Sequence, residues 1–360
     1  MTRQHDDVAE EYDGEGSAPG WAAIDAACQD LYPDQLEPLH YGSVPFAFLQ
    51  SPGVQGVSAY RVAQPEPHWH YVSYGLSDLF GEQDGPDEYG DSGFGFELTF
   101  RLADPQAMTA AEPPLWPIDL LQNLARYVHS TGNCFGPNHH MDAGGKIALE
   151  QETELTALGF VTDPDLRTIE TPSGRVQFVQ VFGLTGTDLS DVKAWSAESL
   201  YKLCDARFPK FITHLDQGPL RDNPELARLI EEGKQRDGSS LDRTFVTSIE
   251  VAEVGGRLEI TLGARVAGEV PGYLQSRLPF GKGFMLIGNE DGLTFRPGEQ
   301  TSWELGQQEN ILTLTPADLA AISGALKPVR GRVEAPAGVV WVVEPTEIKD
   351  QDGKVVEVIG

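Results

Sequence analysis

The sequence predicts an α+β fold in two lobes, an N-terminal mixed α/β lobe with a central sheet flanked by helices and a smaller β-rich C-terminal lobe. Three observations carry that prediction. Phe94 to Leu102 alternates strictly, with Phe94, Phe96, Leu98, Phe100 and Leu102 on one face and Gly95, Glu97, Thr99 and Arg101 on the other, the period of a strand. Residues 117–132 space their apolar side chains as a helix does. From about residue 244 the texture changes to closely spaced apolar runs of strand length. A chain of 360 residues also exceeds what one hydrophobic core ordinarily serves, so two units are expected.

Residues 1–18 are acidic, polar and Gly-containing, and they bury too little surface to offset ordering, so a disordered tail is expected there. The segment from Gly81 to Gly93 concentrates carboxylates among turn formers and reads as a solvated connection between strands. In the first long helix Pro117 takes the first helical position and Asp119 faces the positive end. Leu120, Leu121, Leu124, Tyr127 and Val128 form its stripe, and Gly132 stops it. Val176 to Phe182 is apolar on both faces and belongs in the middle of a covered sheet. Asn223 as N-cap, Pro224 and Glu225 in the first turn and Gly233 as C-cap delimit a second helix. The polar stretch Asp237 to Asp242 then places a domain boundary, giving an N-terminal domain over 19–240 and a C-terminal one over 244–360. Within the latter, Thr315, Pro316 and Asp318 open a helix, and Gly338 to Val343 is a β-branched strand.

Charge and composition exclude several functions. Against 26 basic residues stand 55 acidic ones, a formal net of -29, and such a field repels nucleic-acid backbones and anionic membrane surfaces while favouring a basic partner. No run approaches the ~18 apolar residues of a membrane helix. Cys28, Cys134 and Cys204 are far apart and form neither a disulfide framework nor a CxxC motif, which fits a reducing, cytoplasmic setting.

No catalytic signature emerges. Ser73 lacks the glycine of a nucleophile elbow, and Cys134 in GNCFG lies near histidines but in no known nucleophile context. Gly93 and Gly95 enter a strand instead of leaving one for a helix, so no phosphate loop and no cofactor are expected. His68 and His70, two apart on a strand, project to one face, and imidazoles at this spacing can seed a metal site with His139, His140 or Asp142 from the loop NHHMDAGG. A metal-dependent enzyme built on these four histidines is the alternative to the binding function argued next. The end of the 117–132 helix and its Gly- and Pro-containing loop, with Tyr127 and Phe135, form the sort of surface where binding residues gather.

The runs LYPDQ (31–35), PHWHYVSYGLSDLFG (67–81), SGFGFELTFRL (92–102) and PPLWPIDLLQNLARYV (113–128) resemble those of the Suppressor of fused family, in the family's order. The resemblance continues through TPSGRVQFVQVFG (171–183), FITHLD and NPELARLIEEGKQRDGSS to about residue 240, and beyond 245 it is one of pattern. It implies a non-enzymatic protein whose two lobes close on an extended peptide. In animal members that peptide comes from a Gli-type transcription factor and pairs with strands on both sides, which is β-augmentation.

Carried over by motif, the family's pocket tyrosine in LARYV corresponds to Tyr127 and a pocket aromatic to Phe135. The acidic residue that pairs with the peptide's histidine falls on His139, which puts recognition of the same peptide in doubt. The long insertion of the animal proteins is absent from the C-terminal half. The Arg-over-Lys, Ala- and Gly-rich composition resembles that of a bacterial chain. For bacterial relatives the resemblance implies an immunity protein that occludes a toxin, and a basic toxin domain would suit the -29 charge.

Overall fold

In the computed structural model, which describes residues 18–42, 53–81, 85–307, 309–349 and 354–360, the long alternating run lies near the middle of an eight-stranded sheet. The strands of that sheet are β1 (Leu39–Gly42), β2 (Gly56–Val62), β3 (His68–Tyr74), β4 (Asp91–Ala103), β5 (His140–Asp142), β6 (Leu155–Thr162), β7 (Ile169–Thr171) and β8 (Gly174–Thr185). Their spatial order is β1-β2-β3-β4-β8-β6-β5, with β7 paired to β8. Strands β1 to β4 form an antiparallel meander, and β4 then pairs in parallel with β8. The doubly apolar run 176–182 is thus an interior strand. The acidic tail expected over 1–18 lies, up to residue 17, outside the described residues.

Two helices cover the two faces. Helix α1 (Pro19–Leu31) places Ile24 and Cys28 against Tyr60, Val72, Tyr74 and Phe178. On the opposite face α2 (Trp116–Thr131) buries Leu121, Leu124, Ala125 and Val128 against Trp69, Tyr71, Phe100 and Val179, and Gly132 ends it in the left-handed conformation with φ 72°. Alternation along β3 sends Trp69 and Tyr71 to the α2 side and His68, His70, Val72 and Tyr74 to the α1 side. The PHWHY aromatics accordingly pack between the sheet and α2. The polar face of β4 is also closed from solvent, since Glu97, Thr99 and Arg101 are each 0% exposed.

Contacts divide the chain into two units, residues 1–183 with 208–217 and residues 184–207 with 218–360. These do not coincide with segments 19–240 and 244–360. Helices α3 (Gly186–Ala194), α4 (Ala197–Arg207) and α5 (Pro224–Asp237) belong to the second unit, and the stretch 237–242 is fixed within it. Ser239 donates through its hydroxyl to the Lys193 carbonyl and through its main-chain N–H to Ser276, and its own carbonyl accepts from the Arg277 guanidinium. Polar composition there marks side chains that bond main chain, not a free linker. Gly233 likewise is not a C-cap. It lies inside α5, where a Cβ would come within 2.2 Å of the Trp195 ring, and Gly238 caps the helix instead.

The second unit holds two larger sheets and a hairpin. One sheet orders β10 (Ile249–Val254), β11 (Arg257–Gly263), β17 (Val339–Glu344) and β16 (Gly331–Glu334), so the run 338–343 is an interior strand, as its β-branched sequence predicts. The other orders β14 (Ser302–Leu305), β15 (Asn310–Leu314), β13 (Gly292–Pro297), β12 (Phe284–Ile287) and β9 (Arg243–Phe245). Helices α6 (Ala264–Gln275) and α7 (Pro316–Ala325) contribute Val270, Leu274, Leu319 and Ile322 to one core with Leu258, Phe295 and Trp341. Thr315 caps α7 by accepting from the Asp318 N–H. Strands β18 (Thr346–Lys349) and β19 (Val355–Ile359) pair with each other. No helix among the described residues is long and apolar enough to cross a membrane.

Candidate peptide-binding site

Where α2 ends, the left-handed Gly132 turns the chain back toward the sheet, and the loop 133–139 delivers it to β5. That path brings Tyr127 and Phe135 together as stacked rings with centroids 5.6 Å apart. Phe135 in turn stacks on Phe160 of β6 at 4.3 Å with a 6° interplanar angle. The innermost members are buried while Tyr127 is half-exposed, so the three rings form a step from core to surface. Offset aromatic pairs of this kind contribute about 0.5–1.5 kcal/mol beyond area burial.

His139 is exposed at the start of β5. Its main chain is held firmly: its N–H donates to the Gly136 carbonyl at 3.1 Å and its carbonyl accepts from the Phe160 N–H at 3.0 Å. Asn138, at φ 68°, makes the bend and donates to the Phe160 carbonyl. The structure therefore places all three expected site residues, Tyr127, Phe135 and His139, on one loop and helix end. Phe160, the third ring, escaped the sequence reading because an aromatic in a strand carries no signal of what it stacks on.

Among the described residues, strand β5 ends the sheet on this side. The His139 carbonyl accepts from the Phe160 N–H and the Ala143 N–H donates to the Thr156 carbonyl, so both ends of β5 are tied to the β6 side. Among the described residues, β9 likewise ends a sheet of the second unit. There β9 pairs in parallel with β12 through the Asp242 carbonyl and the Val246 N–H, which turns the main chain of Arg243 and Phe245 outward. Phe245, 77% exposed, was also missed, since its run TFVTS reads only as a strand.

The histidines of the alternative reading do not assemble. His70 has both ring nitrogens engaged, Nδ1 with the Tyr32 hydroxyl at 2.6 Å and Nε2 with Asp163 Oδ2 at 3.1 Å. His68 Nδ1 lies 2.7 Å from the Glu66 carbonyl. Four strand spacings separate β3 from β5, roughly 19 Å, far beyond a shared metal. Among the described residues no group of three or more His, Cys, Asp or Glu could hold a metal ion. Ser73 is equally committed, donating to Glu97 and accepting from the Leu98 N–H. Partial desolvation pushes the Cys134 thiol up, away from the reactive thiolate.

Residues 51–216 match the family model described as Suppressor of fused protein. Human and mouse Suppressor of fused homologs are each 35% identical over 239 residues, which is 62% of this chain and 48% of theirs, so the chain spans about half the length of these curated relatives. A crystal structure of Drosophila Suppressor of Fused superposes with a TM-score of 0.73 at 21% identity, covering 91% of this chain and 97% of that one, and shows the shared fold. A chain of the Sufu-Fu complex crystal structure is 30% identical, with a TM-score of 0.54 over 59% of this chain and 97% of its own. The long runs read from the sequence, the matched model and the agreement in fold lead to one conclusion: the chain belongs to the Suppressor of fused family.

Proposed function

We propose that the protein is a non-enzymatic binder that captures an extended segment of another protein by β-augmentation on β5. The observation that carries this reading is the Tyr127–Phe135–Phe160 ring step beside β5, the last strand of the sheet among the described residues. Main-chain hydrogen bonds along β5 supply affinity without regard to sequence, and side chains beside the edge select the segment. Tyr127 and Phe135 offer an apolar platform for one partner side chain, and the exposed His139 decides which polar group is accepted opposite it. The similarity to a chain from a Sufu-Fu complex supports a protein-binding role. The outward-facing β9, with its exposed Phe245, gives the second unit an edge of the same chemistry.

The partner's chemistry follows from charge. A net of -29 accelerates encounter with a basic protein and slows approach to an acidic one. Neutralisation of a basic toxin domain, as an immunity protein, is the setting that fits this charge and this mode of capture. The test is affinity capture from the native host with wild type and Tyr127→Ala, followed by hydrogen exchange of the recovered complex. Slowed exchange over 139–143 and loss of the partner with folded Tyr127→Ala are expected. Equal recovery by the variant, or unprotected β5 amides in the complex, would remove the assignment.

A further inference from the structure

At the other end of the same sheet a second site is built. A cavity of about 140 Å³ lies between α1 and the outer strands, lined by Trp21, Asp25, Gln29, His40, Ser58 and Tyr60. Trp21, Asp25 and Gln29 follow one another at i, i+4 and i+8, so one face of α1 makes one wall. His40 comes from β1, and Ser58 and Tyr60 from β2. Six strand spacings, roughly 29 Å, separate β1 from β5, which makes this site independent of the peptide edge.

Its walls are fixed before any ligand arrives. Trp21 stacks on Tyr74 at 4.7 Å, and the His40 ring lies 5.1 Å from Trp21 and 5.6 Å from Tyr74. The Ser58 hydroxyl holds His40 Nδ1 at 3.0 Å. Asp25 Oδ1 accepts the Tyr74 hydroxyl at 3.0 Å, yet among the described residues Asp25 makes no ion pair with Lys, Arg or His. A half-buried carboxylate thus sits among aromatic rings with no cation of its own. Ring faces carry negative potential, and the chain's -29 charge adds to it.

We infer that this cavity binds an alkylammonium head group. The volume equals roughly four to five waters, below the ~300 Å³ at which drug-sized pockets begin, and so admits a small cation with its methyl or methylene groups. A bare metal ion is not matched, because one carboxylate is the whole anionic donor set among these residues. Asp25 supplies the charge contact, and Trp21 and Tyr60 supply ring surface to the carbon shell.

The test follows the indole Nε1–H resonance of Trp21, identified with Trp21→Phe, in ¹⁵N-labelled full-length protein during titration. Choline, Nα-acetyl-lysine methylamide and the uncharged choline isostere 3,3-dimethylbutan-1-ol are the probes. Saturable shifts are expected with a cation and none with the alcohol. Tighter choline binding identifies a quaternary amine as the source, and tighter lysine binding identifies a protein side chain. Asp25→Asn, whose amide oxygen still accepts from Tyr74, is expected to weaken binding by about five- to tenfold. Gln29→Glu, which adds a second carboxylate, is expected to strengthen it. No response to either cation, an equal response to the alcohol, or unchanged affinity in both variants would overturn the inference.

Discussion

Two histidine-bearing strands of one sheet behave in opposite ways. On β3, in the interior, His68 and His70 are 1% and 0% exposed and their face is sealed by a polar network. The Arg101 guanidinium donates to Asp163, Asp165 and Gln180, and Thr99, His70 and the main-chain N–H groups of Asp165 and Leu166 also bond Asp163. Burial alone would raise Asp163, but Arg101 and His70 hold it well below the usual carboxylate range. Just before β5, the last strand of the sheet among the described residues, His139 is exposed. The conspicuous HWH motif therefore serves the fold, while the less conspicuous NHH loop reaches the surface at His139. Polar groups inside a sheet must be satisfied internally, and only at its border are they available to something else.

Arg101→Leu is the hardest break of the interior side of this comparison. It strands Asp163 as a buried charge and is expected to cost about 3–5 kcal/mol in urea unfolding. Adding Asp163→Asn should restore part of that loss, and no restoration would show that the two do not act as a pair. Next, Trp69→Ala removes a 0% exposed ring whose Nε1–H donates to Asp104 and over which the Arg61 guanidinium lies, at an expected cost of ~3–5 kcal/mol. A wild-type melting temperature in that variant would contradict the packing between sheet and α2.

The pH response is smaller. Burial lowers the His68 pKa from 6.5 to about 4, so the unfolded chain binds a proton that the folded one refuses between those values. Stability is full above pH 6.5 and falls as pH drops toward 4, by up to roughly 3 kcal/mol from this residue. Urea midpoints at pH 7 and pH 4.5 should therefore converge in His68→Asn relative to wild type. At the edge the expectations reverse. Tyr127→Ala should cost only about 1 kcal/mol while abolishing partner capture. His139→Asp should leave stability within ~0.5 kcal/mol while changing which segment is retained. A large stability loss in either would move that residue from the binding surface into the fold.

Much of the fold was legible because its signals are local. Alternation along 94–102, the stripe of 120–128 with Gly132 behind it, and the caps Asn223 and Thr315 each report a preference that nearby residues enforce. Family resemblance placed Tyr127, Phe135 and His139, and the fold stacks the rings of the first two and leaves His139 exposed further along the same loop. The units were less legible, because α3 to α5 precede the polar stretch 237–242 yet join the unit that follows it. Composition registers polarity, and Ser239 shows that polarity can equally mark a residue that ties segments together.

The amino-acid order by itself determined which residues share a face, where helices begin, the acidic field and the family. Only the tertiary structure decided what covers each face. Period two separates Glu97 and Arg101 from the phenylalanines of β4 but is silent on whether water or a protein partner, Ser77 for the one and Asp163 for the other, lies opposite them. It is equally silent on which strand ends a sheet. Those outcomes depend on pairings between distant segments, and a side chain's environment is set by the partner that arrives there, not by its neighbours in sequence.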